Sequence, residues 1–581
     1  MIDKGYVDRR PGLEPVRRIQ DSGNLWGGAI WIGQVDLHEL DERPGIDEQG
    51  GHDPERESNE TDSPRIELIG GDDFRESRFL VWSEDRPLGL VRLPVQNGTI
   101  DGVALREQAR GLPEPPVLPE RRTRPGVSVV ICTRDRPDHL ARLLDSLVTL
   151  DYPDFEVLVV DNNPVSGLTP PVVAAACPSI PVRVVDAAGP GLSIARNVGL
   201  RSARFELVAF TDDDVVLDPN WLSRIVIGFE RDESVACVCG MVPSVEVMTP
   251  AQAYFDRRVG WAERWEPALY GVARPVAADD LFPLRVSEFG TGANFAVRRD
   301  VVVGLGGFDE AVGAGSAAGG GEDIDIFVRL LLAGGSIARE PAAIVWHSHR
   351  ASVAELEKQM HDYGVGLGAV IFKLLVDPCT TVLVTKRLVA GIRHLRATTQ
   401  VDPGPAVVAE PELAGLRRRE LVGVARGPWR LIRGRLAGRA GAPLRATSRG
   451  LAGLLDFRRG QMWGEPGNTI LEGRLAAVSM WLGLVGLLGA TMLPGVLQVV
   501  AVIAFVLLGP GSLVMSFGSM PTHARLSLVP AVGLAVSIVA VTGLLMAGFW
   551  SPAVVLAIIG IATTAGGLGR GAHLASRVAR V

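Results

Sequence analysis

The sequence predicts an α/β domain of the doubly wound type, preceded by a small β-rich module and followed by a bundle of about four transmembrane helices. Three observations predict it. From Val127 onward, short apolar runs alternate with amphipathic helical stretches, the pattern of strands covered by crossover helices. Polar and acidic residues stand where those apolar runs end, at the strand ends where such sheets bind ligands. The last hundred residues are nearly uncharged.

The chain has 581 residues, too many for one domain, and a net charge of −7 that is unevenly spread. Residues 36–76 are acid-rich and Arg417 to Arg449 is dominated by arginine, so no global basic bias for nucleic acid exists. The opening Met1–Gly5 has no apolar h-region, and no secretory signal is expected. Cys132, Cys177, Cys237, Cys239 and Cys379 form neither a disulfide pattern nor a zinc knuckle, which suits a reduced, cytosolic setting.

Residues 1–110 are expected to be the β-rich module. Within it, 1–22 read as a tail, Trp26 to Leu40 and Arg65 to Val95 as strands with Trp26, Trp31, Phe79 and Trp82 in the core, and the acidic stretch between them as a disordered loop. Residues 111–126 are a proline-rich linker. The α/β domain spans 127–350. Val127 to Cys132 is a continuous apolar run, as a central parallel strand requires, and a helix follows from Pro137 to about Leu150 with leucines 140, 143, 144 and 147 on one face. Phe155 to Val160, Val182 to Val185 and Glu206 to Phe210 are the next strands, and Trp221 to Arg231 a further helix. Residues 351–470 read as helical and arginine-rich.

Residues 471–581 form the membrane region. Four apolar stretches of roughly 18–24 residues each suffice to cross a ~30 Å hydrocarbon core. Arg474 precedes the first, His523 and Arg525 lie between the second and third, and Arg570, Arg577 and Arg580 follow the fourth. Positive residues mark the cytoplasmic side, so both termini and the α/β domain are expected to face the cytosol.

Two acidic clusters carry the chemistry. Asp212-Asp213-Asp214 stands at a strand end, where three carboxylates repel unless a cation offsets them, and Mg²⁺ or Mn²⁺ takes such oxygen ligands and bridges phosphates. Chance alone supplies about one acidic triplet in a chain this acidic, and a solvated loop is the plain alternative. Glu322-Asp323 opens a helix after the glycine-rich Gly313 to Gly321. An acid pair there is favoured by the helix dipole in any case, and it also suits a general base, with Asp323 preferred and Glu322 orienting the acceptor. Gly191, Ser193 and Arg196 begin another helix whose first amides, hydroxyl and guanidinium suit an anion. His347 and His349 share a strand face; His347 is a candidate metal ligand and His349 a surface residue.

Together these residues resemble the family-2 glycosyltransferases of GT-A fold, from about Val127 to Arg350. The resemblance implies that Thr133 and Arg134 border the nucleotide and that Asp161 contacts its base. Gly191, Ser193, Arg196 and Asn197 match the Gly-x-Ser-x-x-Arg-Asn segment, also expected on the donor. Asp212 and Asp214 fall on the Asp-x-Asp signature, implying that Asp212 and Asp213 touch ribose or phosphate and that Asp214 and Asp212 hold the metal, with His347 completing the site. Asp323 would be the base, and Gly290 to Asn294 would line the acceptor side. A Gln-x-x-Arg-Trp motif of processive synthases is missing after Glu322-Asp323, which disfavours a polymer-extruding synthase. What the resemblance implies is an inverting, metal-dependent glycosyltransferase taking a nucleotide-diphosphate sugar donor and, given the membrane tail, a lipid-linked or cell-envelope glycan acceptor, with the arginine cluster near anionic membrane lipids. The alternatives are a non-catalytic membrane component that binds nucleotide-sugar, and a sugar nucleotidyltransferase. The latter expects a glycine-rich triphosphate loop after the first strand, where Thr133-Arg134-Asp135-Arg136-Pro137 has no glycine.

Overall fold

A computed structural model describes residues 13–16, 25–42, 64–114, 123–176, 180–271, 281–284, 288–377, a few positions between 380 and 393, 413, 415–445, 447, 466–517, 522–549 and 551–579. The acidic stretch 43–63 and half of the proline-rich segment (115–122) lie outside the described residues, as do Cys177 and Cys379.

In the N-terminal module, β1 (Ile30–Asp36) leads into α1 (Leu37–Glu42), and β2 (Arg65–Glu67) precedes β3 (Glu76–Ser83), β4 (Arg86–Pro94) and β5 (Thr99–Asp101). β1 runs parallel to β3, which pairs antiparallel with β4, while β2 pairs with β5. α2 (Gly102–Arg110) starts where the Asp101 carboxylate accepts from the amides of Val103 and Ala104, satisfying two donors the helix cannot. Trp31 and Phe79 are fully buried with ring centroids 5.4 Å apart, whereas Trp26 and Trp82 are only half-buried at the module's edge. Leu13 is a correction to the expected tail: it is buried, and its amide donates to Glu67 O at 2.9 Å.

The α/β domain contains, in order, β6 (Val127–Thr133), α3 (Pro137–Leu147), β7 (Phe155–Asp161), α4 (Thr169–Ala175), β8 (Val182–Asp186), α5 (Leu192–Ser202), β9 (Leu207–Asp212) and β10 (Val215–Leu217). It continues with α6 (Trp221–Glu230), β11 (Val235–Met241), α7 (Pro250–Val259), β12 (Ala268–Tyr270), β13 (Asn294–Arg298), α8 (Arg299–Gly304), α9 (Glu322–Leu332) and β14 (Ser336–His347). Among the described residues one nine-stranded sheet runs β10-β14-β11-β13-β9-β6-β7-β8, with β12 on β14. The parallel half is as the sequence predicts: β6 is central between β7 and β9, and the order reverses there. The other half departs from a uniformly parallel sheet, because β13 pairs antiparallel with both β9 and β11. The chain returns to β13 through a long connection rather than one crossover helix, so nothing forces a parallel entry. The sheet is therefore mixed.

Two layers of apolar side chains cover the sheet faces. One joins Leu140, Leu143, Leu144 and Leu147 of α3 to β6 and α6, and the other packs Phe210, Phe295, Phe308 and Phe327. Beyond β14, α10 (Val353–Val376) and α11 (Leu416–Leu436) meet backbone to backbone. A Cβ on Gly368 would stand 2.1 Å from Val424 O, and one on Gly427 would stand 2.3 Å from Ala369 N. Four further helices, α12 (Pro466–Thr491), α13 (Gly495–Met515), α14 (Thr522–Met546) and α15 (Pro552–Ala579), are each long and apolar enough to cross a membrane. Arg570 of α15 pairs with Glu472 of α12 at 2.9 Å, joining the start of the first to the end of the last.

Candidate active site

The reversal of strand order at β6 and β9 gathers the polar strand ends. Thr133 is in register with Asp161, and Cys132 with Asp212. Asp213 and Asp214 form the turn into β10, whose antiparallel pairing sets Val215 opposite His347. That pairing brings together two groups 133 positions apart in the chain. Ligand atoms of Asp212, Asp214 and His347 all lie within 4.8 Å of one another.

Asp214 is buried. Its Oδ2 accepts from Arg136 at 3.2 Å and lies 3.5 Å from Arg350. Its Oδ1 stands 3.1 Å from His347 Nε2 yet makes no well-directed hydrogen bond. A carboxylate oxygen and an imidazole nitrogen facing each other at 3.1 Å, with Asp212 alongside, form a donor set that fits a divalent ion. Burial opposes the Asp214 charge, but His347 and the two arginines overcome it and hold the carboxyl well below its ordinary range. Burial lowers the His347 imidazole, and Asp214 more than offsets this, leaving it raised. Asp212 keeps about 33% of its side chain exposed; packing around it pushes it up to about 6 despite Arg196.

Glu322 and Asp323 open α9 behind Gly321, which adopts φ +89° and abuts Gly366 O of α10 too closely for a side chain. Asp323 Oδ2 accepts from the Gly292 amide at 3.0 Å. Glu322 is buried, and desolvation pushes it up to about 7 even though Arg196 donates to it at 3.0 Å.

Several residues expected on the donor are engaged within the protein instead. Arg196 is only 2% exposed, and its guanidinium goes to Glu322, to Gly292 O at 2.8 Å and to Asp212 at 3.5 Å. It links the two acidic motifs rather than presenting itself to a phosphate. Ser193 Oγ donates to Val312 O at 2.7 Å, and the Leu192 amide after Gly191 donates to Ala314 O, so this helix start holds the glycine-rich loop. The Asn197 side chain exchanges two hydrogen bonds with the Phe308 backbone. Thr133 and Asp213 face each other at 2.8 Å, and Asp213 also accepts from Arg136. Asn294, expected toward the acceptor, is fully buried and ties Met241 O, Ala343 O and Trp221 together. Polar capacity remains on Arg134, whose side chain is 46% exposed, and on Asp161, whose buried Oδ2 has no partner among the described residues.

His349 is buried rather than superficial. Burial beside His347 lowers it to about 3, so it stays neutral. Neither Arg136 nor Arg350 stood out in the sequence. Arg136 lies in the turn after β6, and its spacing from Asp213 and Asp214 carries no local pattern.

Residues 125–361 match the model of the glycosyltransferase like family 2. The chain is 30% identical over 256 residues to a pre-mycofactocin glycosyltransferase of Mycobacterium tuberculosis, covering 43% of this chain and 48% of that one. It thus spans about half the length of this relative. It is 31% identical over 245 residues to the succinoglycan biosynthesis protein ExoM of Rhizobium meliloti, covering 40% of this chain and 71% of that one. Among solved structures, a mannosyltransferase of Pyrobaculum calidifontis in complex with GDP-Man and Mn²⁺ aligns over 56% of this chain and 93% of its own, at 19% identity and a TM-score of 0.37. With most of ExoM covered and the acidic motifs on one rim of the matching domain, the chain belongs to the glycosyltransferase like family 2.

Proposed function

We propose that this protein transfers a glycosyl group from a nucleoside-diphosphate sugar to a lipid-linked or cell-envelope glycan acceptor at the cytosolic membrane face, with inversion and with Mg²⁺ or Mn²⁺. The observation that carries the reading is the convergence of Asp212, Asp214 and His347, joined through Arg196 to Glu322 beside Asp323. Asp212, Asp214 and His347 would hold the ion, which when bound supplies Lewis-acid neutralisation of the departing diphosphate. Arg134 and the free oxygen of Asp161 would receive the nucleotide.

Asp323 would take the acceptor hydroxyl proton. As that oxygen bonds to the anomeric carbon from one face, the bond to diphosphate breaks on the other, and its electron pair leaves with the nucleoside diphosphate. The Gly292 amide holds one Asp323 oxygen, which fixes the carboxylate's orientation. The Glu472–Arg570 pair, together with Arg474, His523 and Arg525, supports placing both ends of the membrane region on the cytosolic side. On α11, Leu421, Val422, Trp429, Ile432 and Leu436 form an exposed apolar stripe flanked by Arg426, Arg430 and Arg433, which suits a helix lying at an anionic lipid surface.

The test is release of nucleoside diphosphate from a panel of nucleotide-sugars by detergent-purified protein with Mn²⁺ or Mg²⁺ and membrane lipid extract. Release should occur with one donor, require the metal, and fall ~10²–10⁴-fold in Asp323→Asn with nucleotide binding kept. Near-normal turnover in that variant refutes the assignment of the base.

A further inference from the structure

The N-terminal module reaches the candidate metal site through an unbroken chain of polar contacts. Arg78, buried on β3, donates both terminal nitrogens to Asp256 of α7, at 3.0 and 2.9 Å. Ser244, in the segment after β11, donates its hydroxyl to the same Asp256. Ser244 Oγ lies 2.8 Å from His349 Nε2, His349 Nδ1 lies 3.1 Å from His347 Nδ1, and His347 Nε2 faces Asp214 Oδ1. Trp261 packs edge-on against both imidazoles, at 5.9 and 6.0 Å between centroids, and Phe255 packs against His349 at 4.8 Å.

Donor counting fixes the direction of this chain. Asp256, held by a bidentate arginine, only accepts, so the Ser244 proton is committed to it. Ser244 Oγ must then accept from His349, which places the His349 proton on Nε2. With the His349 proton on Nε2, the 3.1 Å contact between the two Nδ1 atoms is a hydrogen bond that His347 donates and His349 accepts. That leaves His347 Nε2 as the nitrogen turned toward Asp214, the atom a cation would take. The chain thus selects both the tautomer and the ring orientation of one member of the metal set, as hydrogen-bonded partners of ligating histidines do.

We propose that Arg78, Asp256, Ser244 and His349 form a relay by which the N-terminal module presets His347 Nε2 to bind the divalent ion, making the module part of the active site. The relay residues are positioning residues, since none touches the candidate site's reacting groups directly except through His347. The inference rests on reading Asp212, Asp214 and His347 as the metal site. Arg78, Ser244, Asp256 and His349 also wall a cavity of about 350 Å³ between module and domain.

The experiment titrates full-length detergent-purified protein with Mn²⁺ alone and reads free Mn²⁺ by its electron spin resonance signal. Thermal melting in EDTA is measured in parallel. Ser244→Ala and Arg78→Leu should each weaken Mn²⁺ binding by ~10–100-fold, and Ser244→Thr, which keeps the hydroxyl, should restore it. Melting of Ser244→Ala in EDTA should fall only by the few degrees that its lost hydrogen bonds cost. Asp214→Asn separates the two readings. If wild type and Asp214→Asn bind Mn²⁺ alike, or wild type binds none, the metal site itself is wrong and the relay falls with it. If Asp214→Asn loses binding while Ser244→Ala keeps wild-type affinity, only the relay is overturned. Equal losses in Ser244→Ala and Ser244→Thr, tracking a common fall in melting temperature, also overturn it.

Discussion

Replacing Arg196 by Met tests the buried charge arrangement most sharply, because its effect on stability should depend on pH with a definite sign. The guanidinium is 2% exposed, donates to Glu322 at 3.0 Å and to Gly292 O at 2.8 Å, and stands 5.3 Å from the Phe295 ring centroid. Met keeps much of the stem and its packing. Glu322 titrates at about 7 in the folded protein against an ordinary 4.5, so protonation favours folding. The stability this group contributes is full below about pH 4.5 and is lost as pH rises through about 7. At pH 8 Glu322 is ionised, and removing Arg196, its one cationic donor among the described residues, leaves a buried charge uncompensated, at a cost of ~3–5 kcal/mol. At pH 5 Glu322 is neutral, and the loss reduces to the hydrogen bonds, ~1–3 kcal/mol. Asp212 acts in the same direction but more weakly, since about 33% of its side chain is in solvent. For a domain of this size a kilocalorie corresponds to roughly 2–4 °C of melting temperature. Melting in detergent with EDTA should therefore show the larger deficit at pH 8 and the smaller at pH 5. A deficit that is equal, or larger at pH 5, refutes the reasoning.

Other outcomes follow from the same contacts. Lys373 of α10 bonds Asp309 at 2.7 Å and Asp325 at 2.6 Å, all three buried, so Lys373→Met should cost ~3–5 kcal/mol in melting experiments. Gly427→Val must force α10 from α11, because even a Cβ meets Ala369 N at 2.3 Å; a loss of at least ~3 kcal/mol is expected, with protease susceptibility reporting the opened hairpin. Trp429→Asp with Leu436→Asp, at side chains 66% and 81% exposed, should leave melting unchanged while lowering turnover on a membrane-embedded acceptor and sparing donor binding. Chelation of divalent ions should abolish nucleoside-diphosphate release and readdition of Mn²⁺ should restore it.

What was legible in the sequence is what repeats locally. The apolar run Val127 to Cys132 gave the central strand, the leucines of α3 its buried face, and the uncharged tail its four long helices. Asp212, Asp214 and His347 were readable as chemistry because strand ends in such sheets converge, and they do converge. What the sequence hid depends on long-range pairing. Nothing around Arg196 or Asn197 distinguishes a side chain aimed at a phosphate from one spent on Glu322 or on the Phe308 backbone; only the packing of α5 against the segment before α9 decides it. The antiparallel entry of β13 was hidden likewise, since its apolar residues read the same in either direction. A surface position was the plain reading of His349 because nothing local marks what covers the strand face it shares with His347; Phe255 of α7 covers it.

The same packing explains why the glycine-rich loop before α9 is tied so heavily to helices outside the α/β domain. Asp309 and Asp325 flank the glycine-rich segment, and their shared cation, Lys373, comes from α10, while Arg435 of α11 also reaches Asp309. Arg329 closes the circuit, bonding Asp325 at 2.8 Å and the carbonyls of Leu305 and Gly307. Gly321, the residue before Glu322, rests on Gly366 of α10. The position of Asp323 is therefore set by the hairpin as much as by the sheet, and the hairpin carries the exposed apolar and arginine-flanked surface of α11. A lipid contact on that surface would bear on the base through two helices and one buried charge cluster. Lys373→Met should accordingly weaken the dependence of turnover on anionic lipid as well as stability, whereas a variant in the N-terminal relay should leave that dependence intact and alter only metal binding. Comparing turnover of the two in nanodiscs with and without anionic lipid separates the supports: equal lipid dependence in Lys373→Met and wild type would show that the hairpin braces the fold without conveying the membrane contact to the base.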